Sequence, residues 1–174
     1  IIIANNCEIY GTVSHAFTAL SRVMDPTVLV NLLGGQLDNC SKMQANLWAD
    51  KFIEQAGRNA TGKLLKEMES ISSINGWSGA FSGLLDYWQD KKQAPDNDIV
   101  NKYISNIQQD DELIARLVDV NVQAGHYYNA VHIMDGINDR TGISMAVFYQ
   151  YAICLLMLGR GKEASSIISE GLNA

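Results

Sequence analysis

Residues 117–130 read LVDVNVQAGHYYNA and residues 151–164 read YAICLLMLGRGKEA. Set in register, Gly125 falls on Gly159 and Ala130 on Ala164, each pair 34 residues apart. A period of that length marks a repeated helix–turn–helix unit. The residue types say how each unit is built. Gly125 and Gly159 supply the positive φ with which a helix can end and the chain reverse within two or three positions. Ala130 and Ala164 then stand where the two antiparallel helices come closest, and a larger side chain there would push them apart. Ile114 and Leu117, then Phe148 and Tyr151, provide the larger apolar residues of the first helices. Met134 and Ile137, then Ile167 and Ile168, provide those of the second.

Outward from these units, almost every segment between breakers carries apolar residues at helical spacing. The spacing predicts helices over residues 98–108, 112–124, 127–138, 144–158 and 161–172. Ala94-Pro95-Asp96-Asn97 is the clearest loop and the best domain boundary. Upstream, helices are expected over 13–24 and 27–37, then from the N-cap Ser41 to residue 56, over 61–71, and from Trp77 to about residue 90. Ser72-Ser73 and Asn75-Gly76 break the pattern before that last helix, and Gly79 and Gly83 each weaken it by about 1 kcal/mol relative to Ala. Strand signals are nearly absent, and Ile1-Ile2-Ile3 has nothing to pair with. The expected fold is all-α. Residues 95–174 form helical hairpins in a short α-solenoid, preceded over residues 1–94 by either a separate helical bundle or degenerate repeats.

The 174 residues are 47% hydrophobic with 2 Pro, too apolar for a disordered chain and enough for a real core. The longest apolar stretch, 146–158, is interrupted by Gln150 and falls short of the ~20 residues that span a bilayer, so no membrane insertion is expected. A net charge of −6 argues against a nucleic-acid partner, since phosphate binding needs a basic face. Residues 1–94 hold 8 Lys/Arg against 9 Asp/Glu, and residues 95–174 hold 5 against 10, so the acidic half is the one to attract a basic partner. Cys7, Cys40 and Cys154 are odd in number and widely spaced, which fits reduced core thiols in a cytoplasmic setting. Ile1-Ile2-Ile3 lacks both the basic region and the length of a signal peptide, and a chain that begins on Ile fits one lacking its native start.

Few motifs carry chemistry. GRNATGKL, residues 57–64, nearly spells a phosphate-binding loop, but a helix precedes it and Leu64 stands where Ser or Thr would hold magnesium, so it reads as a turn between helices. Asn59-Ala60-Thr61 fits a glycosylation acceptor that matters only in a secretory compartment. His15, His126 and His132 have neither each other nor cysteine at metal-ligand spacing and read as surface or turn imidazoles. Asp110-Asp111-Glu112 reads as negative charge at a helix N-terminus, and Trp48, Trp77 and Trp88 as core aromatics. No nucleophile elbow or catalytic triad appears. The expected protein is not an enzyme and needs no cofactor or metal.

Residues 111–172 resemble the tetratricopeptide family. Departures are Val118 in place of the small residue that Ala152 keeps in the first helix, Asn121 and Leu155 in place of the family's tyrosine, and the missing closing prolines. In that family the first helix of each unit lines a concave face. The resemblance places Glu112, Ala115, Asp119, Val122 and Gln123 there from one unit, and Ala146, Tyr149, Ile153, Leu156 and Met157 from the other. The Lys, Arg and Asn set that clamps a C-terminal carboxylate is not present at these positions. An apolar groove with an acidic flank suits the apolar side of a partner's amphipathic helix, unless a neighbouring helix of this chain covers it. Residues 146–161 with 123–130 are also similar to the small tetratricopeptide chaperones of type III secretion, which hold a needle or translocator subunit. The resemblance implies a non-enzymatic, cytoplasmic protein-binding adaptor or chaperone, with Tyr149, Ile153, Leu156, Met157, Asp119 and Val122 as the partner-binding residues. A scaffold or regulatory module of a larger protein is the alternative.

Overall fold

The structure, a computed structural model, describes residues 41–56, 60–69, 71–95, 97–107 and 110–173. The helices expected over 13–24 and 27–37, with His15, Cys7 and Cys40, lie outside the described residues. Among those described there are eight α-helices and no strand. The fold is all-α. The chain divides into two compact units at Tyr87/Trp88, inside the third of these helices, so the loop before Asn97 belongs to the second unit.

In the first unit, α1 (Lys42–Ala56) begins at a capping box: the Ser41 Oγ accepts from the Gln44 N–H at 3.3 Å, and the Gln44 side chain accepts from the Ser41 N–H at 3.0 Å. α2 (Ala60–Met68) packs on α1, and α3 (Ile74–Lys91) follows. Trp48, Phe52, Leu64, Met68 and Phe81 are buried, and the Trp77 and Phe81 rings stack with centroids 5.1 Å apart. α3 starts three residues before Trp77. Ser73 caps it, its Oγ accepting from the Gly76 N–H at 3.2 Å, so Asn75-Gly76 lies within the first turn instead of breaking the helix. Gly79 and Gly83 stand where α3 meets α1: a Cβ at Gly79 would overlap the Lys42 carbonyl oxygen and the Ala45 Cβ. The lost helix propensity is exchanged for close backbone approach.

In the second unit, α4 (Asn97–Ile107) packs on α5 (Asp111–Gln123) and α6 (Tyr127–Asp135). Helix α7 (Met145–Met157) lies against α5 and α6 and carries α8 (Gly161–Gly171). Helix α6 ends at Asp135, three residues short of the expected 138, and the loop to α7 turns on Asp139, which accepts from the Thr141 N–H at 2.9 Å and from its hydroxyl at 2.6 Å. Those bonds hold the exposed Asp139 carboxyl below its usual range.

The α5–α6 and α7–α8 reversals are alike bond for bond. Gly125 and Gly159 both have φ 76°. The Gly125 N–H donates to the Val122 carbonyl and Gly159 to Leu156, each at 3.0 Å; His126 donates to Asn121 and Arg160 to Leu155, each at 2.8 Å. This is the Schellman closure, which satisfies carbonyls that the helix end would orphan. Ala130 and Ala164 are buried, as their place at the helix crossing requires. A closure of the same kind ends α3, with Lys92 at φ 51° where the other two have glycine.

Candidate partner-binding face

The buried residues of α5 are Leu113, Ile114, Leu117, Val118, Val120 and Asn121. Each has a buried counterpart 34 residues on in α7: Val147, Phe148, Tyr151, Ala152, Cys154 and Leu155. The two helices therefore turn the same side inward and the same side outward. On the outward side they differ. Helix α7 presents Tyr149, Ile153, Leu156 and Met157, which are 53%, 50%, 59% and 59% exposed. The corresponding α5 residues Ala115, Asp119 and Val122 are half-buried, and the exposed Gln123 is polar.

Helix α7 is thus apolar on its open side as well as its buried one, with Gln150 its one polar side chain, a composition that normally belongs to a helix covered on every side. Its four open side chains leave on the order of 500 Å2 of apolar surface, near the top of what a monomer's largest patch reaches. Ala146, Tyr149, Ile153 and Leu156 follow one another at steps of three, four and three residues, the seam spacing that receives another helix.

Asp119 and Val122 lie on α5, beside this stripe. The Gln150 side chain donates to the Asp119 carboxylate at 3.1 Å across the α5–α7 contact, and Gln123 donates to its other oxygen. Both donors are neutral amides, so they fix the carboxylate without cancelling its charge. In the sequence Gln150 is only the residue that interrupts an apolar run; its role comes from the neighbouring helix.

A polar latch behind the stripe also joins the two hairpins. The Tyr151 hydroxyl donates to Asp135 at the end of α6, and the Arg140 guanidinium lies over the Tyr151 ring, 5.4 Å from its centroid. Arg140 also donates to the Met134 carbonyl at 3.0 and 3.2 Å and pairs with Glu170 of α8 at 3.1 Å. One side chain thereby caps α6 and ties α8 to the loop. Burial first, then the Asp135 hydrogen bond, push the Tyr151 hydroxyl well above its ordinary pKa.

Other sequence candidates take structural places. His126 is the exposed residue that opens α6 without a side-chain capping bond, and His132 lies 2.7 Å from the Asn101 Oδ1 of α4. Asp110 caps α5, accepting from the Leu113 N–H at 3.1 Å. Thr61, Gly62 and Lys63 lie within α2, not on a loop after a strand, and residues 57–59 fall outside the described residues. Trp48, Trp77 and Trp88 are buried. Burial pushes the Cys154 thiol up to about 11, which leaves it protonated and unreactive near neutral pH. Among the described residues no three His, Cys, Asp or Glu side chains gather as a metal ion needs, and no helix is long and apolar enough to cross a membrane. No family model, no curated protein and no solved structure matches the chain.

Proposed function

We propose that this chain is a non-enzymatic protein-binding adaptor or chaperone. Its second unit buries the apolar side of a partner's amphipathic helix against Tyr149, Ile153, Leu156 and Met157, with Asp119 and Val122 at the flank. The observation that supports this is the open stripe on α7. The helix is already anchored by its six buried residues, so the four outer ones are not needed to hold it in place. Large apolar side chains left in contiguous exposure at seam spacing are a recognition surface for a helix.

The resemblance to type III secretion chaperones supports a finer reading. The occupant is then a needle or translocator subunit, held in the cytoplasm so that it does not polymerise before export. The test is Ile153→Asp or Leu156→Asp, with partner capture and helicity both measured. Capture is expected to be lost while the far-ultraviolet circular dichroism is unchanged. Loss of the helical signal would instead make both residues part of the core and end the proposal.

A further inference from the structure

Asp119 sits at the repeat position that Ile153 occupies on α7, and its carboxylate is held at the edge of the apolar stripe by the neutral amides of Gln123 and Gln150. Helix α7 itself carries no charged residue, and residues 88–174 hold 7 Lys/Arg against 11 Asp/Glu. Arg140 is paired with Glu170, and Arg160 with Glu163 at 2.6 Å. From this we infer that the helix received on α7 is cationic on one flank, with a Lys or Arg placed to meet Asp119 while its apolar side covers Tyr149, Ile153 and Leu156. The inference rests on the helix-binding reading of the face and names the partner's chemistry.

Two other occupants fit less well. A second copy would bring a unit of the same negative sign, setting like charges against each other across the interface. An anionic lipid surface would be repelled by the same charge. A basic helix gains on both counts, because its apolar side is buried by the stripe and its cation is attracted by a carboxylate already oriented and partly shielded from water.

The test uses two synthetic amphipathic peptides of about 18 residues, five helical turns, with one leucine stripe and flanks of either Lys or Glu. Binding to the full chain is read by fluorescence anisotropy. The Lys peptide is expected to bind the wild type about tenfold more tightly than the Glu peptide, with a preference that shrinks as salt rises. Asp119→Asn should weaken the Lys peptide about fivefold and leave the Glu peptide no weaker, while Asp119→Glu restores the preference. Asp98→Asn removes the same charge from the exposed first turn of α4 and should change neither peptide.

Equal losses from Asp119→Asn and Asp98→Asn would show attraction by net charge alone and overturn the inference, with the helix-binding reading intact. Equal binding of both peptides to the wild type would do the same. Binding of neither peptide would bring down both. A wild-type dimer in sedimentation that Ile153→Asp converts to monomer would assign the face to a second copy and overturn the inference as well.

Discussion

The two hairpins of the second unit use one backbone device and two kinds of outer surface. Their closures match in φ and in hydrogen bonds, and the inward residues of α5 and α7 correspond one to one. Outward, α5 carries Asp119 and Gln123 where α7 carries Ile153 and Met157. The second helices differ as well. Helix α6 is buried at Ala130, Val131, Ile133 and Met134, because α4 and α7 both pack on it, whereas α8 is buried at Ala164 and Ile167, and Ser165 is exposed where α6 has Val131. The first hairpin is interior to its unit and the second is its open side. A recognition surface therefore costs the fold little on α7 and would disrupt it on α5.

The sharpest way to break this comparison is to load the matched alanines. Ala130→Phe puts a ring into α6, which is packed by α4, α5 and α7, and is expected to destabilise by about 3 kcal/mol. Ala164→Phe acts on α8, which packs against α7 and can shift outward, so about 1 kcal/mol is expected. Urea denaturation of the two variants measures the gap. Equal losses would mean that α8 is as confined as α6 and that the second hairpin is not the open one.

What made the hairpins legible in the sequence was that their closures leave a residue-type mark. Positive φ asks for glycine, and a close crossing asks for alanine, so Gly125, Gly159, Ala130 and Ala164 could be found by period alone. The closure at Lys92 has the same bonds and left no mark, since lysine there bears the strain of a left-handed backbone instead of avoiding it. Gly79 and Gly83 were read only for the helix propensity they cost, for a related reason. Helix propensity is local, whereas the contacts that require glycine, with Lys42 and Ala45 at Gly79 and with Asn46 and Ala49 at Gly83, are made across about 35 residues of chain. The face residues were named from the family resemblance, and composition could not separate the open side of α7 from its buried side, because both are apolar. Asp119 shows the same limit: the sequence placed it on the flank, while its orientation comes from Gln150 of another helix.

A smaller effect, of opposite sign, comes from the one inward position where the first hairpin is polar and the second is not. Asn121 is fully buried; its Nδ2 donates to the Leu117 carbonyl at 2.8 Å, and its Oδ1 has no partner among the described residues. Leu155 fills the matching place in α7. Asn121→Leu removes an unsatisfied acceptor and is expected to stabilise by about 1 kcal/mol, visible as a higher urea midpoint with an unchanged slope. A loss of stability would mean that the amide contributes something in the first hairpin that the repeat does not require.

The last difference lies where the first hairpin has Leu117 and the second has Tyr151, whose hydroxyl reaches Asp135. Tyr151→Phe keeps the ring under Arg140 and removes that hydrogen bond, a loss of about 1 kcal/mol near neutral pH. Its pH dependence follows from the direction of the shift. The folded state holds the phenol proton more tightly than the unfolded chain, so this part of the stability is complete below the ordinary tyrosine pKa of 10.0 and falls as pH rises beyond it. The wild type should lose stability above about pH 10 more steeply than Tyr151→Phe, by up to about 1.4 kcal/mol per pH unit. The curves of the two proteins should therefore converge on the alkaline side, as read from urea midpoints taken at successive pH values. Parallel curves would place the Tyr151 hydroxyl in water and remove the latch that distinguishes the second hairpin from the first.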